Sequence, residues 1–179
     1  FNYRQGKWNV FGDYGVDYNH TYQEFTAYRA FTNEAGVFIE NDNISKRDPT
    51  LQNQNSRLGV DFQLSDKTVI GVLGSWSERE WQMDAINNVD RLENEQLIDQ
   101  LVIDNDESNI WTNWLANINL QHELNNSARL NFDLDYTRYI NSNPTNYLNT
   151  FLSPSGETID ETSLRVRKDT PIDIYVFKA

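Results

Sequence analysis

One stretch limits what this chain can become. Residues 110–140 read IWTNWLANINLQHEL, then NNS, then ARLNFDLDYTRYI. From Trp114 onward, Trp114, Ala116, Ile118, Leu120 and Leu124 alternate with Asn113, Asn117, Asn119, Gln121 and Glu123. After the break, Leu130, Phe132, Leu134 and Tyr136 alternate with Arg129, Asn131, Asp133, Asp135 and Thr137. A period of two places each set on its own face of a strand. Asn125, Asn126 and Ser127 are turn formers. The stretch is therefore a β-hairpin with one apolar and one strongly polar face. Its arms are at least 12 residues long, whereas globular strands usually have about 5–6 residues and a tilted membrane-spanning strand roughly 9–11.

Composition narrows the choices. The 179 residues contain no cysteine, which removes disulfide frameworks and thiolate metal sites. A net charge of −12 argues against a nucleic-acid partner, which demands Lys/Arg patches. No run of 18 apolar residues occurs, so no transmembrane helix is expected. The mean hydropathy of −0.71 is still compatible with a membrane barrel, where lipid-facing and lumen-facing residues alternate and loops are polar. The 23 asparagines disfavour helix interiors and the 13% aromatics favour strands.

Other strands follow the same pattern. Trp8, Val10, Gly12, Tyr14, Val16, Tyr18, His20 and Tyr22 share one face, with Lys7, Asn9, Asp13, Asp17, Asn19 and Gln23 opposite and Phe11 as the exception. The pattern slips near Glu24 and Phe25, suggesting a bulge or the start of a loop. Asn33 to Gly36 is a turn signal. Residues 56–64 form a second clear strand and residues 68–81 a third; a last strand begins near Thr162, with Pro171 marking an edge or a bulge. Residues 24–55, 83–109 and 141–161 are expected to be long polar connections. The middle one holds eight acidic residues against Arg91 alone, and Ile86, Val89, Leu97, Leu101 and Val102 within it have partly helical spacing. Phe1 to Tyr3 reads as the end of a strand and Val176 to Ala179 as the middle of one, so residues 1–179 are expected to be one partial domain of about six strands and a remnant, cut from a longer protein.

Connections then alternate short (Gln5-Gly6), long, short (Ser65 to Lys67), long, short (Asn125 to Ser127), long. An up-and-down meander gathers the short turns at one end and the long loops at the other, as outer-membrane barrels do. Trp76, Trp81, Trp111, Trp114, Tyr136 and Tyr139 would then lie toward the long-loop end as an interfacial girdle, with Trp8 in the opposite one. The expected fold is all-β: an antiparallel up-and-down meander forming part of a large transmembrane β-barrel. About six strands cannot close a barrel, and open edges are not tolerated in hydrocarbon.

The segments NYRQGKWNVFGDYGVDY, RLGVDFQLSDKTVIGVLGSW, NINLQHELNNSARLNFDLDYTRY and TPIDIYVFKA carry a resemblance. In their strand-turn-strand phrasing the chain resembles the large outer-membrane β-barrel proteins of Gram-negative bacteria, most closely the outer-membrane β-barrel family related to TonB-dependent receptors. The resemblance implies a many-stranded barrel in the outer-membrane lipid, taking part in ligand uptake with a plug domain and an inner-membrane TonB-type energy-coupling partner. No segment here corresponds to the plug or to the TonB contact. The alternative of another class is a soluble secreted all-β binding module, such as a carbohydrate-binding sandwich with its apolar faces turned inward.

No catalytic, cofactor-binding or metal-ligating set emerges, and the residues that bind the unknown extracellular ligand are unassigned. His20 and His122 are the only histidines and lie on different strands. Asp104-Asn105-Asp106-Glu107 offers hard oxygens for Ca²⁺ but lacks the spacing of a calcium loop and reads as a solvated acidic segment. Asn117, Asn119, Arg129, Asp133 and Asp135 form a polar stripe facing either a lumen or solvent. Tyr22, Phe25, Tyr28 and Phe31 could stack on sugars or ornament a strand extension.

Overall fold

The computed structural model describes residues 1–125 and 128–179. The turn expected at Asn125 to Ser127 therefore lies largely outside the described residues. Eight antiparallel strands form one sheet: β1 (Asn2–Gln5), β2 (Trp8–His20), β3 (Gln23–Thr32), β4 (Phe38–Ser65), β5 (Thr68–Glu93), β6 (Gln96–Asn125), β7 (Ala128–Leu152) and β8 (Thr158–Lys178). Their order is β1-β2-β4-β5-β6-β7-β8, with β3 also on β4. Strands β2 and β3 follow one another along the same side of β4, pairing with its residues 50–62 and 38–47 respectively. They are one line broken at Thr21 and Tyr22, opposite Asp48 and Pro49. Proline has no N–H to give a neighbour, and the Pro49 carbonyl instead accepts from the Thr21 N–H at 3.0 Å. The all-β meander is as the alternation implies.

The long polar connections are not loops. Residues 24–55, 83–109 and 141–161 are mostly strand, and the helical spacing within 86–102 belongs to β5 and β6. Each hairpin closes instead through a tight turn. Asn94 and Glu95 take φ of 47° and 68°, the left-handed pair of a two-residue hairpin turn. Gly36 (φ 79°) and Gly156 (φ 87°) supply the same freedom at the other two. Side-chain composition misleads here because the ladder is made by backbone groups. A polar residue enters a strand readily when its neighbours on the pleat are also polar, since strand preference depends on those neighbours more than on the backbone. At about 3.3 Å per residue, the 28 residues of β4 extend far beyond any membrane thickness.

Short turns therefore occur at both ends, and the expected sorting of loop lengths is absent. The asymmetry survives in the reach of the strands. On β5, Trp76 lies eight positions from Thr68 and seventeen from Glu93.

Register fixes the two faces. Val10, Val60, Val72, Ile118, Leu134 and Phe177 form one row across six strands. The adjacent row, on the opposite face, is Asn9, Asp61, Gly71, Asn119, Asp133 and Lys178. The apolar row is the open one: Val72, Ile118 and Leu134 are each more than half exposed, while Asn119 and Asp133 are half-buried. This reverses the usual rule that apolar side chains go inside. Among the described residues, Met83 and Ala85 are the only buried hydrophobic side chains. They lie on the polar-row face, as do Ser45, Asn105, Asn141 and Thr145, the buried polar side chains. In a single layer, such one-sided burial arises when the sheet curls and crowds the side chains of its inner surface. That surface is hereafter the concave face, and the apolar row lies on the convex face.

The convex face changes character along the strands. It is apolar up to the row of Trp76 and Trp114 on β5 and β6 and becomes mixed but largely polar beyond: Glu78, Glu80, Gln82 and Asp84 on β5 and Ser108, Asp106 and Asp104 on β6, with Ile86, Val102 and Ile110 among them. The concave face gains apolar residues over the same stretch, Trp81, Met83, Ala85, Val89, Ile103 and Leu101 standing among Asn87, Asn105, Glu107 and Asn109. The aromatic set expected as one girdle is accordingly split. Trp76, Trp114 and Tyr136 are convex, whereas Trp81, Trp111 and Tyr139 are concave. Even and odd positions cannot share a face. Trp76 and Trp114 lie with ring centroids 6.1 Å apart, and Trp8 meets Phe62 at 4.4 Å near the short-turn end.

Candidate functional site: the amide-lined concave face

Asparagine is concentrated on the concave face. Among the described residues seventeen asparagines project there, including Asn9, Asn53, Asn55, Asn105, Asn109, Asn113, Asn117, Asn119, Asn141 and Asn143. An amide both donates and accepts, so neighbours across the ladder satisfy one another. Asn117 Nδ2 donates to Asp135 Oδ1 at 2.6 Å and Asn119 Nδ2 to Asn117 Oδ1 at 3.0 Å. Gln121 Nε2 donates to Asn131 Oδ1 at 3.2 Å, and Asn9 Nδ2 to Asp61 Oδ2 at 3.1 Å.

Glycines make room for these side chains. A Cβ on Gly71 would collide with the Asn119 amide, and one on Gly59 would collide with the Phe11 ring. Phe11, the apolar exception in an otherwise polar phase, is thus explained by the gap that Gly59 leaves across the strand. Near the short turns the face forms a depression of about 560 Å³ lined by Asp61, Asn119, Gln121, Arg129, Asn131 and Lys178, among others.

Two asparagines repair the backbone. Pairing between β6 and β7 lapses between Glu107↔Thr145 and Ile110↔Ser142, where Pro144 has no N–H to contribute. Asn143 Nδ2 donates to the Ser108 carbonyl at 2.8 Å, and Asn141 Nδ2 to the Ile110 carbonyl at 3.2 Å and to Asn109 Oδ1 at 2.8 Å. Asn-Pro in the sequence signalled a breaker; the repair depends on cross-strand register that the sequence does not display.

The polar stripe comes together on the concave face as a set, Asn117, Asn119, Asp133 and Asp135 being ladder neighbours. Arg129, at its turn-proximal end, pairs with Glu123 at 3.0 Å. The other candidates do not converge. His20 contacts Asp48 on the convex face, while His122 Nδ1 lies 2.9 Å from Thr68 Oγ1 at the other end of the sheet. In Asp104-Asn105-Asp106-Glu107 the strand sends Asp104 and Asp106 to one face and Asn105 and Glu107 to the other. Among the described residues no group of three His, Cys, Asp or Glu is placed to hold a metal. Of the β3 aromatics, Phe25 and Phe31 are concave and Tyr28 convex, so they make no common platform. The Arg47 guanidinium instead sits 5.3 Å over Phe25. Tyr28 donates to Glu40 Oε1 at 2.6 Å, and that bond to a carboxylate raises its pKa above the ordinary tyrosine value.

A feature absent from the sequence reading lies just above the inversion row. Trp81 pairs with Asn109 and Arg79 with Trp111 in adjacent registers of β5 and β6. The four side chains line a concave recess of about 330 Å³. The signal was present as the odd-numbered spacing of Arg79, Trp81, Asn109 and Trp111, but it required the β5–β6 register to bring the two pairs together.

A scan against protein-family models finds no match. A search of the curated proteins finds none either.

Proposed function

We propose that the chain is a section of the wall of an outer-membrane β-barrel, of the kind found in TonB-dependent receptors, and that it takes part in taking a ligand across that membrane. The observation that carries this reading is the reversed polarity of the lower half of the sheet. Six strands carry a continuous apolar convex row, more than half exposed at Val72, Ile118, Leu134 and Phe177, while Asn9, Asp61, Asn119 and Asp133 of the adjacent concave row are half-buried. Such a face is costly in water and suited to hydrocarbon, where apolar-out and polar-in strands are the rule.

Two further features support it. From Leu124 to Trp114 the convex residues of β6 span eleven residues, the length that a strand tilted by about 45° needs to cross. Above the Trp76–Trp114 row the convex face becomes charged, as a wall emerging into water should. Met83, Ala85 and their neighbours then pack along the inner surface of the protruding part. In this arrangement Trp76, Trp114 and Tyr136 lie at one interface and Trp8 at the other. The reading requires the backbone edges at β1, β3 and β8 to be paired by further strands, since open edges are not tolerated in hydrocarbon. The concave face then lines a wet lumen, and the role is passage and binding with no chemistry assigned. Energy coupling through a TonB-type partner and gating by a plug rest on the resemblance alone.

Cell fractionation of the full-length protein tests the proposal. It should sediment with outer membranes and require detergent for release. Recovery in the soluble periplasmic or secreted fraction without detergent would sink it and favour a soluble binding module.

A further inference from the structure

The recess formed by Arg79, Trp81, Asn109 and Trp111 is left over when the convex face is assigned to lipid. Two tryptophans that an interfacial girdle would claim point the other way, to the concave face. Trp111 is 47% exposed on a surface whose other large side chains are mostly half-buried. Trp81 and Trp111 are diagonal neighbours across the ladder, a placement that sets Cα atoms about 7–8 Å apart. Two indole faces at that spacing can lie along one extended ligand.

The polar groups beside them keep donors free for a ligand. Among the described residues Arg79 has no ion pair; Glu78 and Glu80, its chain neighbours, project to the opposite face. Asn109 accepts from Asn141 through Oδ1, which leaves its Nδ2 pointed away from that bond. Donors and two indoles thus line one recess of a size that suits small ligands.

We infer that this recess is a saccharide-binding subsite, in which Trp81 and Trp111 stack on sugar rings while Asn109 and Arg79 hydrogen-bond the hydroxyls. Sugar hydroxyls accept from the donors that Asn109 and Arg79 present. One cation beside a neutral amide fits a ligand with at most a single acidic group at that point and fits a polyanion poorly. As the site of the transported ligand, the subsite rests on the barrel reading; as a sugar site, it stands on its own geometry.

The purified full-length protein, in detergent if detergent is needed, is applied to an array of printed neutral and uronate-containing oligosaccharides. Binding to at least one of these classes is expected. Trp81→Ala and Trp111→Ala should each weaken it by roughly five- to ten-fold, the loss of one aromatic contact. Trp111→Phe should recover part of the loss, which a merely unfolded variant would not. Arg79→Ala should weaken uronate ligands more than neutral ones. Trp114→Phe, on the convex face, should leave binding unchanged. Failure of the wild-type protein to bind any printed glycan, or equal binding by the Trp81 and Trp111 variants, would overturn the inference. Because the array uses purified protein, soluble recovery in fractionation would refute the barrel while leaving a positive glycan result intact.

Discussion

Phe11 lies over Gly59 across the β2–β4 ladder. A Cβ on Gly59 would meet Cζ, Cε2 and Cε1 of the ring, the farthest at 2.9 Å. The ring occupies the space that a side chain would have taken. Gly59→Ala should therefore destabilise the protein by about 1–3 kcal/mol, as overpacking does. Gly74→Ala, whose Cβ would meet only the Leu115 carbonyl at 4.0 Å, should change stability by no more than about 0.5 kcal/mol. Denaturant unfolding of the purified variants separates the two; equal effects would show that Phe11 moves aside freely.

The orientation of the sheet is tested by a charge on each face. Ile118→Arg places a cation in the apolar convex row. If that row meets lipid near the bilayer midplane, the cost is about 2–4 kcal/mol. Asn131→Arg, on the concave face, should cost much less. Folding into lipid vesicles, followed by denaturant titration, gives both values. A larger penalty for the concave variant would reverse the assignment of the two faces.

Asn141 offers a test of the backbone repair at Pro144. It is 4% exposed and donates to the Ile110 carbonyl and to Asn109 Oδ1. Asn141→Ala removes a buried donor and leaves two half-buried acceptors without it, and should cost about 1–3 kcal/mol. Asn146→Ala, whose partners Asp106 and Arg165 are exposed to water, should cost less. Unfolding midpoints at matched denaturant slope are the measurement.

Asp169 gives a pH signature on the protruding part of β8. The Ser142 hydroxyl donates to it at 2.7 Å and Arg167 Nε at 2.6 Å, and these bonds, Ser142's first, hold its carboxyl below the usual range. A folded pKa below the unfolded value of about 3.9 means that the contribution is present above that value and lost as pH falls through the folded pKa. Carboxyl carbon chemical shifts should show the depressed titration, and Ser142→Ala should move it upward. An unchanged midpoint in that variant would remove Ser142 as the cause.

Much of the fold was legible where one face was uniformly apolar. The hairpin through Ile118 and Leu134, the face of β2 and the turns at Gly6 and Gly36 are all visible as period-two patterns and left-handed glycines. The upper half was obscured because its polarity is mixed on both faces: Asp84 and Ile86 share the convex side of β5, while Met83 and Asn87 share the concave one. With no clean alternation, the acidic residues of 83–109 carry the pattern of a polar loop although they lie in strands. The candidate site was hidden for a related reason. Trp81 and Trp111 are thirty positions apart, and only the register of β5 on β6 shows that they share a face with Arg79 and Asn109.

The inversion at the Trp76–Trp114 row has a consequence for how the strands find their alignment. Period-two alternation penalises a slip of one residue, which swaps the faces, but is blind to a slip of two. A change of face polarity partway along β5 and β6 removes that blindness. Sliding β6 by two residues past β5 would set Thr112 beside Trp76 and Trp114 beside Gly74, mismatching the boundary on neighbouring strands. The reversal thus works as a vernier mark cut across the sheet, fixing longitudinal position where alternation alone would leave a choice of even-numbered shifts.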